Sequence, residues 1–410
     1  MDRRILFASL VIGAAVVAGV GTAVFAFVGA DGGATEPTVL WETEPTDDAV
    51  TAHESAVATT DGEVRIAIPL VAEGDACTLR VVDGAGESAW NASLPADACD
   101  ADGGTGGAPS GGVTAGTVGG EPAFVLTTAE PGVRALAAAD GAPLFEAGLD
   151  APSSAPPAVG DVTGDGANEV AVGTTAGTLR VLDADGGTAW TREVDGPVGL
   201  PPLVGSFSDD GGATSDADPA VVVSAGGEDG SYVRFDGAGE RVWTAPRNGT
   251  PTAWTAAETR RGAVLAVGTE EGSIATIETV DGGTRFDARL QGTSIAPGGT
   301  DAGRVAVGGT GAVWAVDLLD GEVVWKQQFG GDAPVAPPAT GDVTGDDTPE
   351  TVAVTETGSV VAMNRDGGVL ARGVVDATVE VRPLLVDLND DGDREVVLLA
   401  SDGRAIALDV

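Results

Sequence analysis

The chain has 410 residues, with 21 basic against 63 acidic side chains and a formal net charge of −42. That field repels nucleic acid, whose phosphates need clustered lysine and arginine, and lysine occurs once, at Lys326. A hydrophobic content of 43% excludes an acidic disordered chain, so the acid belongs to the surface of a folded protein, and a surface of that kind, soluble where molar salt screens self-repulsion, points to a salt-loving source.

The single histidine, His53, excludes a multi-histidine metal centre within the chain. Residues 1–30 open with Arg3 and Arg4 and continue as an uncharged run of 26 residues, ILFASLVIGAAVVAGVGTAVFAFVGA. About 20 apolar residues span a bilayer, which predicts a single N-terminal transmembrane helix acting as a signal anchor. The arginines before it place the N-terminus inside and everything after it outside. Arg3-Arg4 followed by Ile5 and Leu6 also resembles a twin-arginine export signal with Ala30 as a cleavage point, so cleavage stays open. Residues 31–36 are a short linker. The expected location is therefore the cell membrane, single-pass, with an extracytoplasmic domain over residues 37–410.

That domain is repetitive. A glycine followed four residues later by an aromatic recurs at Gly86/Trp90, Gly141/Phe145, Gly186/Trp190, Gly239/Trp243, Gly282/Phe286 and Gly321/Trp325; a seventh copy pairs Gly367 with Ala371. Within one unit, Pro156 to Trp190, four short β-rich runs are separated by turn residues and read as an antiparallel meander. Four-stranded units repeating roughly every 40–50 residues predict a β-propeller. The chain ends on an eighth copy with three strands, and Thr38 to Trp41 is an isolated strand ending in tryptophan. The fold class that follows is all-β: an eight-bladed β-propeller of four-stranded antiparallel blades, its ring closed by residues 37–42 completing the last blade. Residues 101–112 read as a blade connection, and residues 209–218 as an insertion in a first-to-second-strand loop.

Two cysteines, Cys77 and Cys99, are either free thiols or, in an extracytoplasmic domain, a disulfide clamping the first full blade. Asn91-Ala-Ser93 and Asn248-Gly-Thr250 fit the N-glycosylation pattern.

Three loops share one spacing. Asp161, Thr163, Asp165, Ala167 and Glu169 stand at positions 1, 3, 5, 7 and 9 of the first; Asp342, Thr344, Asp346, Thr348 and Glu350 of the second; Asp387, Asn389, Asp391, Asp393 and Glu395 of the third. Side-chain oxygens at alternate positions, with a carbonyl at position 7, wrap a hard cation such as Ca²⁺. Position 12 is Val172, Ala353 and Leu398, so these are strand–loop–strand sites and not EF-hands. The second loop carries Asp347 where the others have glycine at position 6. Calcium here is expected to pin loops, not to catalyse. A fourth candidate, Ser208 with Asp210, is broken by the insertion.

The acidic loops resemble the FG-GAP repeats of integrin-α-like propellers. Ala315-Val-Asp317-Leu-Leu-Asp320-Gly321-Glu-Val-Val-Trp325 resembles the tryptophan-docking motif of pyrroloquinoline-quinone (PQQ) propeller repeats, with Asp320 where threonine is common. The resemblance implies kinship with eight-bladed quinoprotein dehydrogenases and with non-catalytic BamB-like propellers. The enzymes use adjacent cysteines and a catalytic aspartate; Cys77 and Cys99 are far apart, and no aspartate falls on a matching motif. A PQQ cofactor is therefore not expected. The leading expectation is a non-catalytic binding or scaffold module of the cell envelope, with an envelope protein or surface ligand as partner. The alternatives are a PQQ-dependent redox enzyme and a calcium-dependent adhesion module.

Overall fold

The computed structural model describes residues 34–45, 54–72, 76–94, 112–128, 130–207, 218–227, 230–329, 331 and 333–410. These residues form eight four-stranded antiparallel sheets, in seven of which the strands follow chain order. Blades 1 to 7 span residues 56–94, 113–148, 158–193, 203–246, 251–289, 296–328 and 339–374. Blade 8 takes three strands from residues 384–409, and its outermost from Thr38–Glu42 near the start of the chain. Thr38 pairs with Asp409 and Glu42 with Ile406, so the N-terminal strand closes the ring as expected, one residue longer than the apolar run alone suggests.

Second and third strands build the interior. In blade 3 the second strand, Glu169–Gly173, is buried along its whole length, because a β-strand inside a blade is covered on both faces and so reads as a continuous apolar run. The eight apolar clusters sit between blades. One joins Ala171, Leu179 and Val181 of blade 3 to Val221, Val223 and Phe235 of blade 4; the seam of the ring joins Val352, Val360 and Ala371 of blade 7 to Val396, Ile406 and Leu408 of blade 8.

The glycine–aromatic repeat has a mechanical basis. Gly86, Gly141, Gly186, Gly239, Gly282, Gly321 and Gly367 all have φ between +74° and +81°, the left-handed region that glycine enters without penalty. Each lies under the fourth-strand aromatic of the preceding blade. A Cβ on Gly141 would meet the Trp90 ring at 2.7 Å, and one on Gly86 would meet Trp41 at 2.6 Å. The indole N–H then donates to a carbonyl of the same turn: Trp90 to Ala138 at 3.0 Å, Trp190 to Gly237 at 3.0 Å, Trp243 to Thr279 at 2.8 Å, and Trp41 to Gly84 at 2.9 Å. The aromatics therefore dock blade to blade, and Trp41 carries that docking across the closure.

Blade 7 has alanine at this place. Ala371 is buried, and Thr35 lies beside it in a parallel bridge. The Thr35 N–H donates to Leu370 O at 2.8 Å, and the Arg372 N–H to Thr35 O at 3.0 Å. The chain thus straps the outer edge of blade 7 before it completes blade 8. A clasp follows: Arg404 pairs with Glu42 and with Asp402, and donates to Asp376 O at 2.8 Å.

The expected helix over residues 1–30 lies outside the described residues, as do Cys99, His53, Ser208 and Asp210. Among the described residues no helix is long and apolar enough to cross a membrane. The backbone of Cys77 lies in Ala76–Asp83, the third strand of blade 1.

Candidate functional site

The three acidic loops join first to second strands in blades 3, 7 and 8. In blades 1, 2, 5 and 6 that connection is a tight hairpin, as at Asp61-Gly62 with φ 53° and 80°, or Ala302-Gly303 with φ 44° and 82°. The two designs trade length. Where the loop is present the first strand has three residues, Ala158–Gly160, Ala339–Gly341 and Leu384–Val386; with the hairpin in blade 6 it has six, Ala296–Asp301. The first run of blade 3 is accordingly shorter than its apolar residues suggest, because Asp161 leaves the ladder to begin the loop.

All three loops take one conformation. Positions 4 and 6 are left-handed: Gly164 and Gly166 at φ 80° and 87°, Gly345 and Asp347 at 69° and 61°, Asp390 and Gly392 at 62° and 98°. Asp347 does adopt the turn expected of the glycine it replaces, aspartate being one of the few residues that tolerates this region. The position-1 carboxylate spans the loop. Asp161 accepts from Gly164 N at 2.6 Å and Gly166 N at 3.0 Å, Asp342 from Gly345 N at 2.8 Å and Asp347 N at 2.7 Å, Asp387 from Asp390 N at 2.7 Å and Gly392 N at 3.1 Å. Position 5 caps position 7: Asp165 accepts from Ala167 N at 2.8 Å, Asp346 from Thr348 N at 2.8 Å, and Asp391 from Asp393 N at 3.0 Å.

Position 9 behaves differently from the sequence expectation. Glu169, Glu350 and Glu395 are the first residues of their second strands and are 3%, 2% and 5% exposed. Each turns back on its own loop: Glu169 accepts from Val162 N and Thr163 N at 2.9 Å, Glu350 from Val343 N at 3.1 Å, Glu395 from Leu388 N at 2.7 Å. A buried carboxylate is tolerable only when such donors replace water. Burial pushes Glu350 and Glu395 up despite these amides. For Asp342 burial also pushes upward, but the amides of Thr344, Asp347, Gly345 and Asp346 together outweigh it and hold the group low. The position-3 side chains face the same glutamate, Thr163 at 3.3 Å, Thr344 at 3.4 Å and Asn389 at 3.1 Å.

The fold brings two of the loops together. Arg394 N donates to Asp342 O at 3.1 Å, linking the blade 8 loop to that of blade 7, and Gly345 lies against the Asp393 carboxylate. Asp393 is raised by burial and then by Asp391, Asp342 and Asp387. The blade 3 loop stands apart, beside Pro219 of blade 4. Among the described residues no group of three or more His, Cys, Asp or Glu side chains converges as a metal centre; the carboxylates at positions 1, 5 and 9 each accept from amides of their own loop. Asn91 and Asn248 are both exposed, the first on the outer strand of blade 1 and the second between blades 4 and 5.

The first strands of neighbouring blades pack side by side around the axis and carry mostly small and aliphatic residues, with Trp254 the one aromatic. They read AVATT, VTAGTV, AVG, LVGS, PTAWTAAET, APGGTD, ATG and LLV. Sequence reasoning did not find Tyr232 and Trp254, whose rings meet 5.8 Å apart between blades 4 and 5, because an aromatic outside the repeat position carries no periodic signal.

Residues 228–410 match the family model described as outer membrane protein assembly factor BamB. No curated protein matches the sequence. Among solved structures, BamB from Moraxella catarrhalis is similar at 19% identity and TM-score 0.56, over 91% of this chain and 98% of that one. Quinohemoprotein alcohol dehydrogenase from Comamonas testosteroni is similar at 12% identity and TM-score 0.66, over 91% and 76%. BBS1N, solved in complex with ARL6DN, is similar at 16% identity and TM-score 0.51, over 72% and 90%. At these identities the structural likenesses establish the fold alone.

Proposed function

We propose that the chain is a PQQ-like β-propeller that acts as a non-catalytic binding or scaffold module of the cell envelope, anchored by its N-terminal apolar segment. The observation that carries this reading is the match of residues 228–410 to an assembly-factor model. A PQQ cofactor does not fit the residues present: the vicinal cysteines are absent, and the first strands carry neither histidine, cysteine, lysine nor arginine. The BBS1N neighbour, solved with a protein bound, is a precedent for a propeller of this shape as a protein-binding surface, and rigid blades presenting variable loops suit that use.

The test is in-cell crosslinking at native salt, followed by affinity purification of the tagged chain and mass spectrometry. A reproducible, near-stoichiometric envelope protein is the expected result. Dye-linked dehydrogenase turnover after adding PQQ and calcium would overturn the reading in favour of a quinone-dependent redox enzyme. Loss of cell-surface binding on chelation, with the fold intact, would favour calcium-dependent adhesion.

The acidic loops belong to the same reading as FG-GAP-like elements that take Ca²⁺ through position 5, the position-7 carbonyl and the accessible lone pairs of position 1. Their common backbone conformation supports this, and the glutamates that pin each loop from below keep it formed before the ion arrives. Extracellular modules of this kind bind at about 10⁻⁴–10⁻³ M. Terbium luminescence titration should show binding that Asp165→Asn and Asp391→Asn weaken; unchanged luminescence in the double variant would remove the ion from the reading.

A further inference from the structure

We infer that the outer rim of blades 6, 7 and 8 is the surface that lies against the lipid, so that the propeller stands on its edge and its two loop-bearing faces both open sideways. This rests on the anchored reading above.

Two separate observations meet on this rim. The first is where the chain enters the fold. Thr35 is bridged to Ala371 on the outer strand of blade 7, and Thr38–Glu42 is the outer strand of blade 8. The uncharged run ends at Ala30. Five peptide steps at about 3.5 Å each reach at most about 17 Å. A segment leaving the bilayer at Ala30 therefore holds the outer strand of blade 7 within about 17 Å of the headgroup region.

The second is the character of the rim. Among the described residues only a few large apolar side chains are strongly exposed: Leu40 at 46%, Val323 at 46%, Val324 at 41% and Val242 at 47%. Three of the four lie on the outer strands of blades 8 and 6, on either side of the blade 7 strap. Those strands, like Ser88–Leu94 and Arg241–Pro246 of blades 1 and 4, carry little of the chain's acid. Val323–Gln328 contains the single lysine and no acid, Val369–Val374 contains Arg372 and no acid, and the one acid of Thr38–Glu42, Glu42, is paired with Arg404. In a chain of net charge −42, an outer rim of apolar and compensated groups can approach lipid without desolvating carboxylates, and Leu40, Val323 and Val324 concentrate its exposed apolar surface on this arc.

Val242 supplies an internal control, because it has the same exposure on the outer strand of blade 4, across the ring from blade 8. Leu40, Val324 or Val242 is replaced by the photocrosslinker benzoylphenylalanine in the full chain, and membranes of expressing cells are washed with carbonate and irradiated. Lipid adducts are read by mass spectrometry. Several-fold more adduct at positions 40 and 324 than at 242 is expected. Retention of the chain in washed membranes with equal adduct at all three positions, or with more at 242, overturns the edge-on orientation and leaves the anchor standing. Release of the chain by the wash overturns both.

Discussion

The docking of Trp41 on Gly86 makes ring closure measurable as a coupling energy. Trp41→Ala removes a half-buried indole and its hydrogen bond to Gly84. Tryptophan truncations in packed sites cost about 3–5 kcal/mol, and partial exposure of this ring puts the expected loss near 3 kcal/mol. Gly86→Ala acts through two effects: a left-handed alanine costs about 1–2 kcal/mol, and a Cβ 2.6 Å from the indole forces a displacement worth about 1–3 kcal/mol. With Trp41 already gone, the second effect vanishes and only the backbone cost remains. The double variant should thus be more stable than the sum of the single losses predicts, by about 1–3 kcal/mol. Urea unfolding in molar salt supplies the energies. Hydrogen exchange over Thr38–Glu42 shows whether the loss is local to the closing strand. Additivity within about 0.5 kcal/mol, or unchanged exchange protection in Trp41→Ala, would refute the claim that this contact holds the ring shut.

Three further outcomes follow from single residues. Asp347→Gly relieves a left-handed aspartate at φ 61° while keeping the amide that donates to Asp342; it should raise stability by about 0.5–1 kcal/mol, read from the urea midpoint. Arg404→Met leaves the buried Glu42 carboxylate without its partner and should cost about 3 kcal/mol, with proteolysis near residue 42 as the local readout. Tyr232 is the single tyrosine, and burial pushes its phenol up, partly offset by Arg247 and reinforced by Asp287. The folded state therefore holds the neutral form after the unfolded chain has ionised, so stability is intact below about pH 10 and falls as pH rises above it. Near-ultraviolet difference spectroscopy should show phenolate only as the chain unfolds; ionisation preceding unfolding would contradict the burial argument.

The architecture was legible because its determinants are local. A left-handed glycine and an aromatic four residues on are fixed by one turn and one contact, and they recur wherever that contact is made. The closing strand could be read from Trp41 for the same reason. The strap at Thr35 could not, since it is held by backbone groups that any residue supplies. The acidic loops were found by their spacing, yet the work of position 9 was hidden: whether a glutamate faces outward or folds under its loop depends on the left-handed residues at positions 4 and 6, which turn the amides of positions 2 and 3 toward it. The contact between the blade 7 and blade 8 loops lies beyond sequence reading altogether, because it depends on how two distant hairpins are set by their neighbours.

Closing the last blade with the first strand also sets the order of assembly. Thr38–Glu42 precedes blade 1 in the chain, yet its partner, Ala405–Asp409, is the last strand of blade 8. Until that partner emerges, the early strand has no ladder to join and blade 1 has no Trp41 against Gly86. Contacts of such long sequence separation form slowly and leave sheet edges open in the meantime. Truncation within blade 8 would therefore damage both sides of the closure at once, whereas the intact ring is locked by one pairing of long sequence separation.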